Sequence, residues 1–137
     1  CVERIAGHSK HNVDYSIIPG CTYTEPGVAS VGLTEKAARD AGLDIKIGKF
    51  PFQFSGRALA AGESEGFVKL IFGKKYGELL GAHIIGAAAT EMISELVMAM
   101  RLEATEEEIM HAMHPHPTFS ESVMEAAGQG LGESVHI

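Results

Sequence analysis

Two apolar runs, Phe67–Phe72 and Leu79–Ile85, flank six turn-forming residues, Gly73-Lys74-Lys75-Tyr76-Gly77-Glu78. Strands joined by so short a link run antiparallel, since a parallel return needs a long crossover, so this stretch predicts a hairpin with a long turn. The second run, Leu-Leu-Gly-Ala-His-Ile-Ile, is apolar enough to sit centrally in a sheet. His83 within it reads as a core or interface histidine rather than a ligand. The hairpin leads into a long helical pattern, Gly86 to Leu102. Met92, Ile93, Leu96, Val97 and Met100 recur at helical spacing there, and Glu91, Ser94, Glu95 and Arg101 take the other face. That face covers a sheet, and its methionines also suit a partner. The fold class that follows is α+β: an antiparallel sheet of about five strands with helices packed on one side.

Other elements fit this frame. Val28–Val31 is a short strand. Thr34 caps a short helix, Glu35–Ala41, which Gly42 ends. Ile45–Phe54 alternates apolar and polar and predicts a half-buried strand, with Pro51 placing its second half at an edge or bulge. Residues 55–66, small and polar, read as a loop with Arg57 its only basic residue. Thr105 caps a helix over Glu106–Met113, with three glutamates in its first turn and Pro115 ending it. The Gly-Gln-Gly-Leu-Gly run at 128–132 lacks the spacing of a dinucleotide fingerprint and follows a helix rather than a strand. It reads as a flexible exit. Gly73-Lys74-Lys75 likewise lacks the spacing of a phosphate loop.

At 137 residues the chain is one domain with room for a real core. The net charge of −7 argues against nucleic-acid or anionic-membrane partners, which require clustered Lys and Arg. Apolar stretches are interrupted well before 18 residues, so none is expected to span a membrane. Cys1 and Cys21 make no disulfide framework. The opening on Cys1 rather than Met, and the polar run Gly-His-Ser-Lys-His-Asn, predict that residues 1–13 are a leader from a preceding unit and 14–137 the domain itself. His8 and His11 in that leader read as solvated.

The densest chemistry lies at His114-Pro115-His116-Pro117-Thr118-Phe119-Ser120-Glu121. Thr118 and Glu121 have capping-box spacing, so a helix is expected from about Phe119 to Ala127, with Glu121 on its first turn. His116 lies just outside on a proline-flanked turn. An imidazole and a carboxylate so placed can pair, the carboxylate fixing the tautomer and favouring the protonated ring. Simpler readings are a capping glutamate and a turn histidine. A metal held by His111, His114 and His116 is disfavoured by the stiff prolines and the absence of a nearby cysteine.

H-P-H-P-T-F-S-E resembles the H-x-H-P-T-x-S-E signature of the dihydrolipoamide dehydrogenase family, within the FAD-dependent pyridine nucleotide-disulfide oxidoreductases. The segment Y-T-E-P-G-V-A-S-V-G-L-T-E-K-A-A resembles the opening of that family's C-terminal interface (dimerisation) domain, and the tail resembles its short end. The resemblance covers essentially this whole chain but only about the last quarter of the family's enzymes. It implies that His116 is the active-site acid/base, that Glu121 orients it, and that the His116-Pro117 peptide is cis, with backbone at His116 and Pro117 facing a partner's flavin. It also implies a homodimer in which this domain meets the other subunit's redox disulfide and FAD, with NAD as electron acceptor. Lipoyl domains of 2-oxoacid dehydrogenase or glycine cleavage complexes become partners, in a bacterial cytoplasm or a mitochondrial matrix. The C-x-x-x-x-C pair and the Gly-rich dinucleotide turns are not in this chain, so the fragment is expected to be inactive alone and to bind no cofactor. The alternatives are the interface domain of another disulfide reductase, of the glutathione type, and a stand-alone assembly domain without catalysis.

Overall fold

A computed structural model describes residues 1–8 and 12–137. His11 lies outside the described residues. Five strands form one antiparallel sheet: β1 (Gly20–Thr22), β2 (Gly27–Gly32), β3 (Ile45–Pro51), β4 (Phe67–Gly73) and β5 (Leu79–Gly86). Their spatial order is β1-β2-β5-β4-β3, so the predicted hairpin, β4–β5, supplies two of the three inner strands. Among the described residues six α-helices accompany them: α1 (Val2–Ile5), α2 (Glu35–Asp40), α3 (Gly56–Ala61), α4 (Ala89–Arg101), α5 (Glu106–His111) and α6 (Glu121–Leu131). Among the described residues no helix is long and apolar enough to cross a membrane.

The core follows from strand alternation. Ala29, Val31, Phe50, Val68, Leu70, Ala82 and Ile84 are at most 2% exposed and point to one face of the sheet. There they meet Met92, Ile93 and Leu96 of α4 and Val123, Ala126 and Ala127 of α6 in a single cluster. The opposite face carries a row set by register, Ser30, His83, Lys69 and Lys49. His83 is half-buried there, its Nε2 3.0 Å from the Leu33 carbonyl oxygen, and α2 reaches this side through Glu35, which pairs with Lys69 at 2.6 Å.

Two of the three predicted caps hold in full. Thr34 Oγ1 accepts from the Ala37 N–H, and Gly42 takes the left-handed conformation beyond α2. Thr105 and Glu108 form a reciprocal capping box at α5.

Several boundaries differ from expectation. The strand predicted to reach Phe54 stops at Pro51, on the sheet's edge, and Phe52–Phe54 is a 3-10 turn that buries Phe52. The loop expected over 55–66 contains α3: Ser55 caps it, the Arg-Ala-Leu-Ala-Ala run sustains it, and left-handed Gly62 closes it. Helix α5 ends at His111, two residues early, because Ala112 is already extended on the approach to Pro115. The glycine run at 128–132 is no flexible exit: α6 continues to Leu131, and only Gly132 is left-handed. The reason is close packing. A Cβ at Gly130 would lie 3.4 Å from the Phe72 ring, and one on strand residue Gly48 would lie 1.8 Å from the Ala126 carbonyl oxygen. Glycines on both surfaces bring α6 directly onto β3, where burial outweighs their weak helix propensity.

Candidate functional site

Proline dictates the local shape of the motif. The His116-Pro117 peptide is cis, as is Glu25-Pro26, and Pro115, His116 and Pro117 are exposed. Thr118 is the hub of the turn. Its hydroxyl donates to the Pro115 carbonyl oxygen at 2.8 Å, and its N–H donates to Glu121 Oε2 at 2.7 Å. Half of the predicted capping box therefore forms. The reciprocal half does not, because the Thr118 hydroxyl is used within the turn, and the α-helix starts at Glu121 rather than Phe119. Phe119 anchors the turn edge-on against Phe52, with ring centroids 5.6 Å apart.

Glu121 Oε1 lies 2.7 Å from His116 Nδ1. The carboxylate is 24% exposed, the imidazole 81%. Burial opposes ionisation of Glu121, but the Thr118 N–H and the His116 ring together outweigh it and hold the carboxyl below its ordinary value. An ionised Glu121 accepts, so His116 Nδ1 carries the proton and the ring's basic site is the outward Nε2. Nε2 has no hydrogen-bond partner among the described residues. A carboxylate-oriented imidazole with a free nitrogen toward solvent can take and return one proton.

The neighbouring histidines do other work. His111 Nδ1 lies 3.0 Å from its own helix's Glu107 carbonyl oxygen. His114, with its side chain 6% exposed, sits between two acceptors: Nδ1 is 2.8 Å from Ala112 O and Nε2 is 2.7 Å from Glu95 Oε1. The Glu95 hydrogen bond raises the His114 pKa against the opposing effect of burial. The three imidazoles of the metal alternative thus face four different acceptors, and no group of three or more metal-binding side chains forms among the described residues.

A third pair went unread in the sequence. Glu125, one turn along α6 from Glu121, is 5% exposed. Its Oε1 lies 2.6 Å from His136 Nδ1, and its Oε2 accepts from the Ser134 hydroxyl at 2.8 Å and the Val135 N–H at 3.2 Å. Burial opposes its ionisation, yet His136 and Ser134 outweigh that and hold the carboxyl low. The i,i+4 spacing of Glu121 and Glu125 was a usable signal; the return of the tail was not. Glu95, read as part of α4's polar face, likewise gave no hint of its role at His114.

Comparison with known proteins places this chain in a family. The model of the pyridine nucleotide-disulphide oxidoreductase dimerisation domain matches residues 18–127. A dihydrolipoyl dehydrogenase from Rhizobium etli is 55% identical over 133 residues, 96% of this chain and 28% of that protein. A mitochondrial dihydrolipoyl dehydrogenase from Pisum sativum is 43% identical over 137 residues, 100% of this chain and 27% of its own length. The chain therefore spans little more than a quarter of these relatives. Among solved structures, LpdA from Mycobacterium tuberculosis superposes with a TM-score of 0.86 at 21% identity, covering 93% of this chain and 28% of that one. The Cu(II) complex of the HOCl-induced flavoprotein disulfide reductase RclA from Escherichia coli gives 0.86 at 26%, over 93% of this chain and 29% of that one. The five-stranded antiparallel sheet with its helices and the match over 110 consecutive positions lead to one conclusion: the chain belongs to the dimerisation-domain family of the pyridine nucleotide-disulphide oxidoreductases.

Proposed function

We propose that this chain is the interface domain of an FAD-dependent dihydrolipoamide dehydrogenase, acting on protein-bound dihydrolipoamide with NAD. In this reading residues 14–137 form the domain and 1–13 belong to the unit before it. The observation that carries the reading is the 2.7 Å His116–Glu121 pair with its free Nε2. His116 removes a proton from a dihydrolipoamide thiol, because the thiolate is the form that attacks a disulfide, and returns that proton in the reverse direction. Glu121 holds the Nδ1–H tautomer and stabilises the imidazolium that follows. FAD, when bound in the partner subunit, supplies the two-electron link between the dithiol–disulfide pair and NAD. The residues present fit a facing role only. The exposed His116-Pro117 backbone is available to a neighbouring group, while the chain carries no Gly-rich dinucleotide turn of its own.

The same reading implies a homodimer, in which this domain meets the redox disulfide and FAD of the partner subunit. The apolar side chains Met98, Leu102 and Met113, respectively 57%, 72% and 99% exposed, support contact with further protein. Lipoyl domains are the macromolecular substrate, and the setting is a bacterial cytoplasm or a mitochondrial matrix. The fragment by itself is inactive in this reading.

Replacing His116 by Gln in the complete polypeptide tests it. Turnover of dihydrolipoamide is expected to fall by about 10²–10⁴-fold, with Glu121→Gln costing less because the ring keeps its basic nitrogen. Near-normal turnover in His116→Gln would remove the acid–base assignment.

A further inference from the structure

A cavity of about 80 Å³ lies behind the His116–Glu121 pair. Phe50 and Phe54 close one side, and Glu121, Ser122 and Glu125 of α6 close the other. His116 borders it on the motif side. Ser55, Gly56 and Met124 also line it, as does His136 from the end of the chain. Ser122 is 1% exposed, and its hydroxyl has no hydrogen-bond partner among the described residues. A buried hydroxyl without a partner costs free energy, and Ser122 Oγ is closed to solvent.

We propose that Glu125 and His136 are a second, positioning pair, which seats residues 134–137 as one wall of this small cavity and so fixes Glu121 against His116. This rests on the dihydrolipoamide dehydrogenase reading for its consequence in turnover, but not for its structural part. Glu121 and Glu125 sit one helical turn apart on the same face of α6. Each accepts from an imidazole at Nδ1 and from a backbone N–H of the adjoining turn, Thr118 for one and Val135 for the other. Four hydrogen bonds gather the tail onto Glu125: those from Ser134 Oγ, Val135 N, His136 N and His136 Nδ1. Glu133 N–H adds a fifth tie, donating to the Gly128 carbonyl oxygen at 2.7 Å. Without the tail, the first turns of α6 have open solvent where the wall stood. Glu121 then gains water as a competing donor and loses the enclosure that holds its rotamer. The titratable groups facing the cavity are His116, Glu121, Glu125 and His136, and His114 acts on Glu121 through space.

The test compares His136→Ala with His136→Asn in the complete polypeptide. Asn can place an amide N–H where Nδ1–H stood, so it keeps the hydrogen bond and discards the imidazole. Amide hydrogen exchange is read by mass spectrometry over 119–127 and 132–137. In His136→Ala, exchange in both segments is expected to rise by about tenfold, as a lost charge-assisted hydrogen bond opens them. His136→Asn should return both to the parent level. The acid limb of the pH–rate profile should move in the Ala variant and recover in the Asn variant. If the tail exchanges faster while 119–127 and the pH profile stay unchanged, the tail is merely tethered and the positioning role is refuted. Should His116→Gln leave turnover intact, the acid–base reading fails, while the exchange comparison still decides the seat of the tail.

Discussion

Gly48→Ala isolates the contact on which the site depends. The added Cβ lies 1.8 Å from the Ala126 carbonyl oxygen and 2.8 Å from its carbon, where real Cβ contacts essentially never fall below 3.0 Å. The obstacle is helix backbone, so no rotamer change relieves it, and α6 must retreat from β3 by at least about 1.2 Å. That retreat unpacks Val123, Ala126 and Ala127, all fully buried. Overpacking of this kind costs about 1–3 kcal/mol, and a backbone clash places the variant near ~3 kcal/mol. Gly56→Ala is the matched control: nothing lies within 4 Å of its new Cβ, and the residue opens helix α3. It should gain about 0.5–1 kcal/mol, since Ala restricts the unfolded chain and suits a helix. Urea unfolding followed by far-UV circular dichroism measures both. Because Glu121 rides on α6 at 2.7 Å from His116, the Gly48 variant should also lose that hydrogen bond, visible as a changed His116 ring resonance. A Gly48→Ala midpoint equal to the parent's would refute the direct seating of α6 on β3.

The His114–Glu95 link gives a pH signature. The ring's folded value is raised above 6.5, so its contribution is complete below the unfolded value and is lost as pH rises through the higher folded value. His114→Ala should cost about 1–2 kcal/mol at pH 5.5, reduced because Glu95 is 38% exposed, and less at pH 8.5; equal losses at both pH values in urea melts would contradict it. Lys46 pairs with Glu106, whose side chain is 5% exposed. Lys46→Met strands that charge and should cost about 3–5 kcal/mol, while the double variant Lys46→Met/Glu106→Leu should recover most of the loss. A double variant no more stable than the single one would show that the pair is not what holds α5 to the sheet.

The α+β class, the central hairpin, the buried face of α4 and the caps at Thr34 and Thr105 were legible because each is a local pattern. Alternation, 3.6-residue spacing and a hydroxyl before a helix act within a few residues. The errors share a cause. Residues 55–66 looked like a loop, and 128–132 like a flexible exit, because small residues and glycine carry weak local preference. Their conformation is decided by what they pack against: Phe52 and Ala58 enter the core, and α6 presses on Gly48.

The candidate site divides in the same way. The sequence alone placed His116 and Glu121 five residues apart across a Pro-Thr turn, close enough to meet whatever the rest of the chain does. Their pairing is a short-range event governed by proline geometry and a helix start. The tertiary structure alone decided that Glu95, from α4, holds His114, and that the tail returns to Glu125 behind the site. Those partners are nineteen and eleven positions apart. No local preference encodes such a distance. It is set by packing: α4 and α6 bury their apolar faces on one sheet, which leaves Glu95 beside the turn that carries His114 and Glu125 beside the returning tail.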